Sequence, residues 1–270
     1  MFPYRFFAFL FILNLWSTSA IAQVCNTLVI TGPPNAPPSS WTVDQQLVGA
    51  SVDFVKQIAL QSGVKKVETK VYDSWSQALN ATQLGEVDLI FSAAVTTERK
   101  RFLDYVFPSY AGQNLYVIVR KGESFPLLKY QDLIGRSGAA GLGEAFGGDS
   151  KFGEFVAKNL TLTRTSSLTQ SFEFLFERKV DYVLAYENSA ESTIFVNNLG
   201  GKIDIVSTFP FHAESYIAFS KRSKCRAALM PLFSSGITEA KIKNLFYDLT
   251  AKNKSIFYES LLSQVKAEKK

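Results

Sequence analysis

The chain has 270 residues, of which 47% are hydrophobic, and a formal net charge of +5 at pH 7. Its basic residues are dispersed apart from a run at 98–101 and the C-terminal tail. No nucleic-acid-binding motif accompanies them, so we expect no nucleic-acid partner. One His and two Cys leave almost no ligands for zinc, and we expect no metal centre and no cofactor.

The first 22 residues have the pattern of an export signal. Arg5 precedes an apolar stretch over residues 6–16, and small residues at 19–22 form an Ala-x-Ala cleavage pattern. The apolar stretch is shorter than the ~20 residues that span a bilayer as a helix. We therefore predict a cleaved signal peptide over 1–22 and a periplasmic mature chain. The alternative is an uncleaved N-terminal anchor.

Export makes the two cysteines, Cys25 and Cys225, interpretable. In an oxidising compartment, two cysteines without a third suggest one disulfide. The alternative is a lipid-modified Cys25, but Ala-Gln-Val-Cys is a poor match to the small-residue pattern of bacterial lipoprotein signals.

Strands and helices alternate along the mature chain. The patterns predict strands at 28–31, 67–72, 87–91, 115–120, 160–165 and 179–185, and helices at 50–61, from Asp73 or Ser74 to 84, and at 168–178. Such alternation is typical of an α/β fold with parallel strands and helices on both faces. The stretches 85–91 and 179–185 have the same form, which predicts two similar lobes.

The stretch from Asp88 to Arg99 is the strongest binding signal. An apolar strand ends in small residues, Ser92 to Ala94, and Arg99 follows just inside a predicted helix start. Small residues at the carboxyl end of a strand let a ligand approach the backbone, and free helix N–H groups with a guanidinium suit a carboxylate. The alternative is a surface arginine within a charged run.

Residues 137–148 are rich in Gly and Ala. They lack the Gly-Lys-Ser/Thr ending of a phosphate-binding loop and have no dinucleotide fingerprint in register. A tight turn before a helix that begins at Glu144 or Ser150 is therefore preferred over nucleotide binding.

Several segments carry a resemblance to a known family through their order and spacing. They are Leu47–Gly49 with the helix that holds Asp53, Trp75–Asp88, Thr96–Arg99 with Phe107–Tyr110, and Lys179–Asp181. The chain resembles family 3 extracellular solute-binding proteins, a periplasmic group that mostly serves amino-acid uptake.

The resemblance implies a two-lobed α/β fold with a hinge of two crossover strands, near 110–114 and 207–211. Lobe 1 would hold 23–112 and 209–270, with both cysteines, and lobe 2 would hold 113–208. It also implies a monomer, not an enzyme, that captures an amino acid or related small carboxylate and delivers it to an ABC-type permease.

The same resemblance assigns site residues by position. Arg99 matches the residue that grips a ligand carboxylate, with Ser92 and Ala94 at the same end. Trp41 sits where an aromatic wall often covers the ligand, although core packing explains it equally well. The matching loop of lobe 2 consists of Gly143, Glu144 and Ala145.

One departure from the family pattern concerns the ligand ammonium. Amino-acid binders of this family usually place an Asp near the end of a lobe 2 strand, where this chain has Tyr186 followed by Glu187. Either a bend brings Glu187 into the cleft, or Tyr186 makes a neutral contact and the ligand is not an ordinary α-amino acid.

Two other classes of function stay open on the sequence. One is a cyclohexadienyl-dehydratase-like enzyme in which Glu144 or Glu187 acts as general acid. The other is a ligand-sensing module that docks to a receptor without serving a permease.

Overall fold

A computed structural model describes residues 25–206 and 211–268. The predicted signal peptide and most of the second predicted crossing lie outside the described residues. The helices are α1 (Ala50–Gln61), α2 (Trp75–Leu84), α3 (Lys151–Asn159), α4 (Leu168–Phe176), α5 (Glu187–Val196), α6 (Arg226–Ile242) and α7 (Leu245–Glu268). The strands are β1 (Thr27–Thr31), β2 (Asn35–Ala36), β3 (Ser40–Val43), β4 (Gln46–Val48), β5 (Lys66–Thr69), β6 (Leu89–Ala93), β7 (Leu103–Arg120), β8 (Ser137–Gly141), β9 (Thr161–Thr165), β10 (Tyr182–Tyr186), β11 (Ile203–Ile205) and β12 (Phe211–Ser220).

Two sets of parallel strands are joined by two long antiparallel ones. The main sheet runs β5-β1-β6-β12-β7-β10-β8-β9, with β11 paired to β7, and β2-β3-β4 form a small separate sheet. β1 is parallel to β5 and β6, and β8 is parallel to β9 and β10. β7 and β12 pair with each other and lie between the two sets. This confirms the predicted two-lobed α/β architecture.

Each lobe has its own hydrophobic core. In lobe 1, helices α1 and α6 cover the sheet through side chains such as Phe54 and Phe233, which are 1% and 0% exposed. In lobe 2, β7 and β10 carry alternating side chains into two clusters, with Val117 facing one side and Ile118 the other. Alternation of this kind follows from the pleat of a strand with helices on both faces.

Helix α2 begins and ends where its local sequence predicts. The Ser74 hydroxyl accepts a hydrogen bond from the backbone N–H of Gln77, and Gly85 closes the helix in the left-handed region at φ 81°. A hydroxyl acceptor satisfies one of the free N–H groups of the first turn, and glycine enters this region without steric cost. The cap puts Trp75 at the first position of the helix, where it faces lobe 2.

The disulfide between Cys25 and Cys225 is present, as predicted. It ties the start of the described chain to the first turn of α6, and both partners lie in lobe 1. In the chain-entropy model, closing a loop of about 200 residues stabilises the fold by on the order of 4–5 kcal/mol.

The crossover strands approach each other closely. β7 is continuous over 18 residues, and its pairing with β12 runs from Leu103 opposite Ser220 to Leu115 opposite Phe211. Gly112 lies where a Cβ atom would be 2.0 Å from the imidazole of His212. A side chain at position 112 would therefore displace the exposed imidazole of His212.

Within residues 25–206 and 211–268, no helix combines the length and apolar character needed to cross a bilayer. In the same part of the chain, no group of three or more His, Cys, Asp or Glu side chains has an arrangement that could hold a metal ion.

Candidate functional site

A cleft of about 380 Å³ lies between the two lobes. Its volume falls in the range typical of small-molecule sites. The carboxyl ends of β8 and β10 open into it, as is usual for parallel strands in α/β folds. The lining residues come from both lobes and include Pro33, Pro34, Trp41, Asp73, Trp75 and Phe257 from lobe 1, and Gly141, Glu144, Ser166, Thr169, Tyr186 and Thr193 from lobe 2.

Arg99 joins the two lobes next to this cleft. Its side chain is enclosed, and the whole residue is only 6% exposed. Nη1 donates to the carbonyl oxygen of Ala94 at 3.0 Å, and Nη2 donates across to that of Gly143 in lobe 2 at 2.6 Å. The guanidinium also lies 5.7 Å from the ring centroid of Trp75. Arg99 therefore lies behind the residues that line the cleft.

The prediction that a helix starts near Arg99 is wrong. The chain makes only a 3-10 turn over Arg99–Arg101 before β7 begins at Leu103. The Arg99 N–H donates to the Thr96 hydroxyl at 3.0 Å, so it is already satisfied. The positive group at this point is the guanidinium alone, without a row of free helix N–H groups.

Ser92 and Ala94 make their polar contacts inside lobe 1. The Ser92 hydroxyl lies 2.9 Å from that of Tyr110, and the backbone of Ser92 has a φ of 60°. The carbonyl of Ala94 accepts from the hydroxyl of Tyr105 at 2.8 Å as well as from Arg99. Burial raises the pKa of Tyr105 to about 12, against the opposing charge of Arg99, so this donor stays protonated.

Glu144 lines the cleft from the loop after β8. Burial raises the pKa of its carboxyl to about 7, although Arg99 and Arg164 act in the opposite direction. Arg164 is held in place by donating Nη1 to the carbonyl oxygens of Gly141 and Glu144, at 3.2 and 3.0 Å. Within the described part of the chain, no protein donor hydrogen-bonds the Glu144 carboxylate.

Tyr186 and Glu187 line different depressions of the protein surface. Tyr186 lines the cleft and stacks on Phe146 with ring centroids 5.8 Å apart. Burial, followed by the nearby Glu144, raises the pKa of Tyr186, so the phenol is neutral. Glu187 is the first residue of α5 and accepts from Asn114 Nδ2 at 2.9 Å and from the Tyr116 hydroxyl at 3.0 Å. It lines a separate depression beside α7, and no bend turns it into the cleft.

A second contact between the lobes surrounds Asp149. Its backbone N–H donates to the carbonyl of Val95 at 2.8 Å. Its carboxylate accepts from the N–H of Thr97 at 2.9 Å and from Lys100 Nζ at 3.0 Å. We call these groups the Asp149 contact.

Comparison with known proteins decides the family. Residues 28–261 match the model of the bacterial extracellular solute-binding proteins, family 3. The chain belongs to this family. A Campylobacter jejuni protein described as a probable histidine-binding protein is 27% identical over 238 residues, which is 86% of each chain.

Solved structures show the same fold as this solute-binding protein. An ancestral arginine-binding protein bound to arginine has a TM-score of 0.66 at 24% identity, over 85% of this chain and 98% of that one. An amino-acid ABC transporter substrate-binding protein from Streptococcus pneumoniae bound to L-arginine has a TM-score of 0.66 at 21% identity, over 85% of this chain and 95% of that one. A histidine kinase sensor domain similar to periplasmic binding proteins has a TM-score of 0.66 at 22% identity, over 85% of this chain and 96% of that one.

The cleft also contains residues that the sequence did not single out. Phe257, on α7, lines the cleft and packs edge-on against Trp41, with ring centroids 5.4 Å apart. Trp41 is 8% exposed, so it serves both as core and as cleft wall. Phe257 follows Trp41 by more than two hundred residues, and no local pattern could have placed it there.

Proposed function

We propose that this protein is a periplasmic solute-binding protein that captures an amino acid or related small carboxylate between its lobes and delivers it to an ABC-type permease. The observation that carries the proposal is the cleft of about 380 Å³ with walls from both lobes. A ligand that touches both walls favours the closed arrangement by its difference in affinity for the two states.

The proposed lobes follow the two hydrophobic cores. Lobe 1 comprises 23–112 and 209–270, and lobe 2 comprises 113–208. The boundary in β7 then falls next to Gly112, whose lack of a side chain leaves room for the imidazole of His212 on β12. A hinge at two neighbouring strands lets the lobes move as rigid bodies about a common axis.

Arg99 is the proposed anchor for the ligand carboxylate. A guanidinium has five N–H donors. In Arg99, Nη1 and Nη2 each donate to one carbonyl group, and the two carbonyls belong to opposite lobes. Its charge and its other donors serve a carboxylate at the junction of the lobes. Ala94 would hold Arg99 in place through its carbonyl, and Ser92 would lie behind the same end. Trp41 would cover the ligand, and Tyr186 would offer a neutral hydroxyl.

The proposed periplasmic location rests on the N-terminal sequence pattern and on the disulfide. The pattern of residues 1–22 fits a signal peptide, and the Cys25–Cys225 bond fits the oxidising periplasm. We propose that it acts there as a monomer that docks to its permease in the closed, loaded form.

A thermal-shift screen of residues 23–270 against the amino acids and prephenate-like cyclic acids tests the function. We expect saturable stabilisation by one amino acid or a few related ones, followed by calorimetric binding with one site and no turnover. Uptake of that amino acid by vesicles that contain the cognate permease should require the protein. Stabilisation by none of these compounds would overturn the proposal.

One observation favours a second candidate, an enzyme of the cyclohexadienyl-dehydratase type. An enclosed carboxyl with a pKa of about 7 is suited to act as a general acid near neutral pH. In that case Glu144 would protonate a leaving hydroxyl as water and carbon dioxide depart from a cyclic carboxylate. Incubation with prephenate distinguishes the two functions, because a binder returns the compound unchanged.

A further inference from the structure

The charged side chains of the cleft wall are of one sign. Among the described lining residues, the charged side chains are Glu144 and Asp73, and both are acidic. Asp73 is exposed at the start of α2, where solvent screens its charge. Glu144 is half-buried in the cleft wall, so its charge is screened less than that of Asp73.

The two arginines near Glu144 do not occupy the wall. Arg99 donates to the carbonyls of Ala94 and Gly143, and Arg164 donates to those of Gly141 and Glu144. Both flank the Glu144 loop, and neither guanidinium donates to its carboxylate. The carboxylate therefore keeps its hydrogen-bonding capacity for a group that enters the cleft.

Aromatic side chains line the cleft together with Glu144. Trp41, Trp75 and Phe257 all line the same cleft. Aromatic faces attract a positive nitrogen, the more strongly when water is excluded. A half-buried carboxylate with aromatic walls suits an organic ammonium or guanidinium group better than an anion.

We propose that Glu144 receives a positively charged nitrogen of the ligand and that binding is coupled to release of a proton from its carboxyl group. This inference rests on the proposed function and assigns the second-lobe contact within it. The ligand would lie with its carboxylate towards Arg99 and its ammonium towards Glu144, across the same junction of the lobes.

Proton release follows from the groups that face Glu144. These are Arg99 in the turn after β6, Arg164 on β9, Tyr186 on β10, and more distantly Asp73 before α2. Burial raises the pKa of Glu144 to about 7, so part of the empty protein carries this proton near neutral pH. A cation beside the carboxylate lowers that pKa, whereas an anion raises it further. The sign of the proton exchange thus identifies the charge that Glu144 meets.

The test is calorimetry of residues 23–270 with L-arginine, L-lysine, L-histidine, L-glutamine and succinate as probes. Each probe is titrated at pH 7 in phosphate and in Tris, whose ionisation enthalpies differ. For the amino acids that bind, we expect a net release of protons, which increases as the pH is lowered from 8 towards 7. Their affinity should fall by up to tenfold per pH unit below pH 7 and level off above pH 8.

Two variants make the assignment specific. Glu144→Gln resembles the protonated side chain, so it should fold normally, lose the proton release and bind the same probe at least tenfold more weakly. Glu154→Gln is the matched control, because Glu154 lies on α3 and pairs with Lys158 outside the cleft. It should leave both quantities unchanged.

The outcomes separate this inference from the proposed function. Tight binding of an amino acid without proton release, or with unchanged affinity in Glu144→Gln, overturns the role of Glu144 and leaves the function standing. Proton uptake, or preferential binding of succinate, shows that Glu144 meets an anion and also overturns it. Binding of none of the probes, together with no stabilisation in the wider screen, overturns both.

Discussion

Arg99 has a structural and a proposed binding role in one side chain, because its guanidinium bonds both lobes and is almost fully enclosed. Arg99→Ala should weaken binding of the amino acid found in the screen by at least tenfold, since truncation of an enclosed hydrogen-bonded charge costs about 2–5 kcal/mol. It should also lower the melting temperature, because two buried carbonyls lose a donor. Arg99→Lys should restore little, since lysine lacks the planar fork.

Arg101 is the control for this experiment. It belongs to the same 3-10 turn but is exposed to solvent. Arg101→Ala should therefore leave both affinity and melting temperature near the values of the unaltered protein. Unchanged calorimetric affinity in Arg99→Ala would remove Arg99 from the proposed site.

Glu187 should contribute to stability rather than to ligand binding. Its carboxylate accepts from Asn114 and Tyr116 and so ties α5 to β7. Glu187→Gln removes the charge and one acceptor, which should lower the free energy of unfolding by about 1 kcal/mol in denaturant titration. Affinity for the bound amino acid should not change. A tenfold loss of affinity with unaltered unfolding would instead place Glu187 in the cleft.

At the scale of elements, helices with clear local signals were predictable. The spacing of Val52, Val55 and Ile58 indicated α1, and all three are buried. The caps at Ser74 and Gly85 fixed both ends of α2. These signals act within a few residues, so no tertiary information was needed.

Strand ends and the turn at Arg99 depend on distant partners. The strand predicted at 87–91 lies at Leu89–Ala93, because its limits are set by pairing with β1 and β12. The helix expected at Arg99 cannot extend, since the chain must enter β7 at Leu103. The cleft wall formed by Phe257 and the outward position of Glu187 likewise follow from packing that no single segment encodes.

The disulfide should act on the stability of lobe 1 and hardly on the cleft. Cys25 and Cys225 join β1 to α6 among residues of the lobe 1 core, away from the cleft-lining residues. Reduction should therefore lower the melting temperature and leave the affinity for the bound amino acid within about twofold. The double variant Cys25→Ser, Cys225→Ser should match the reduced protein. Two alkylatable thiols in unreduced periplasmic protein would contradict the bond.

At the scale of the whole molecule, contacts on two sides of the cleft join the lobes. On one side lies the Asp149 contact with Thr97 and Lys100. On the other, Phe195 of α5 packs edge-on against Tyr258 of α7, with ring centroids 5.4 Å apart. Because these contacts form between lobes, they stabilise the closed arrangement and oppose opening.

Asp149→Asn should shift the protein towards the open arrangement. Burial acts to raise the pKa of Asp149, but hydrogen bonds from Lys100 and Thr97 outweigh it and hold the pKa below its ordinary value. A lowered pKa means that the carboxylate's contribution is present at neutral pH and lost only as the pH falls through that value, in strong acid. Small-angle scattering at pH 7 should show a larger radius of gyration for the unliganded variant, and calorimetry a several-fold weaker affinity.

Asp204→Asn provides the matched comparison, because Asp204 pairs with Lys121 and with the N–H of Gly122 entirely within lobe 2. It removes an equivalent ion pair without touching the junction of the lobes, so compaction and affinity should stay as they are. Saturating amino acid should restore the compact form of Asp149→Asn, since the ligand itself bridges the lobes. If Asp149→Asn and Asp204→Asn scatter identically with and without amino acid, the Asp149 contact does not govern closure, and the other contacts between the lobes, such as that of Phe195 with Tyr258, carry it instead.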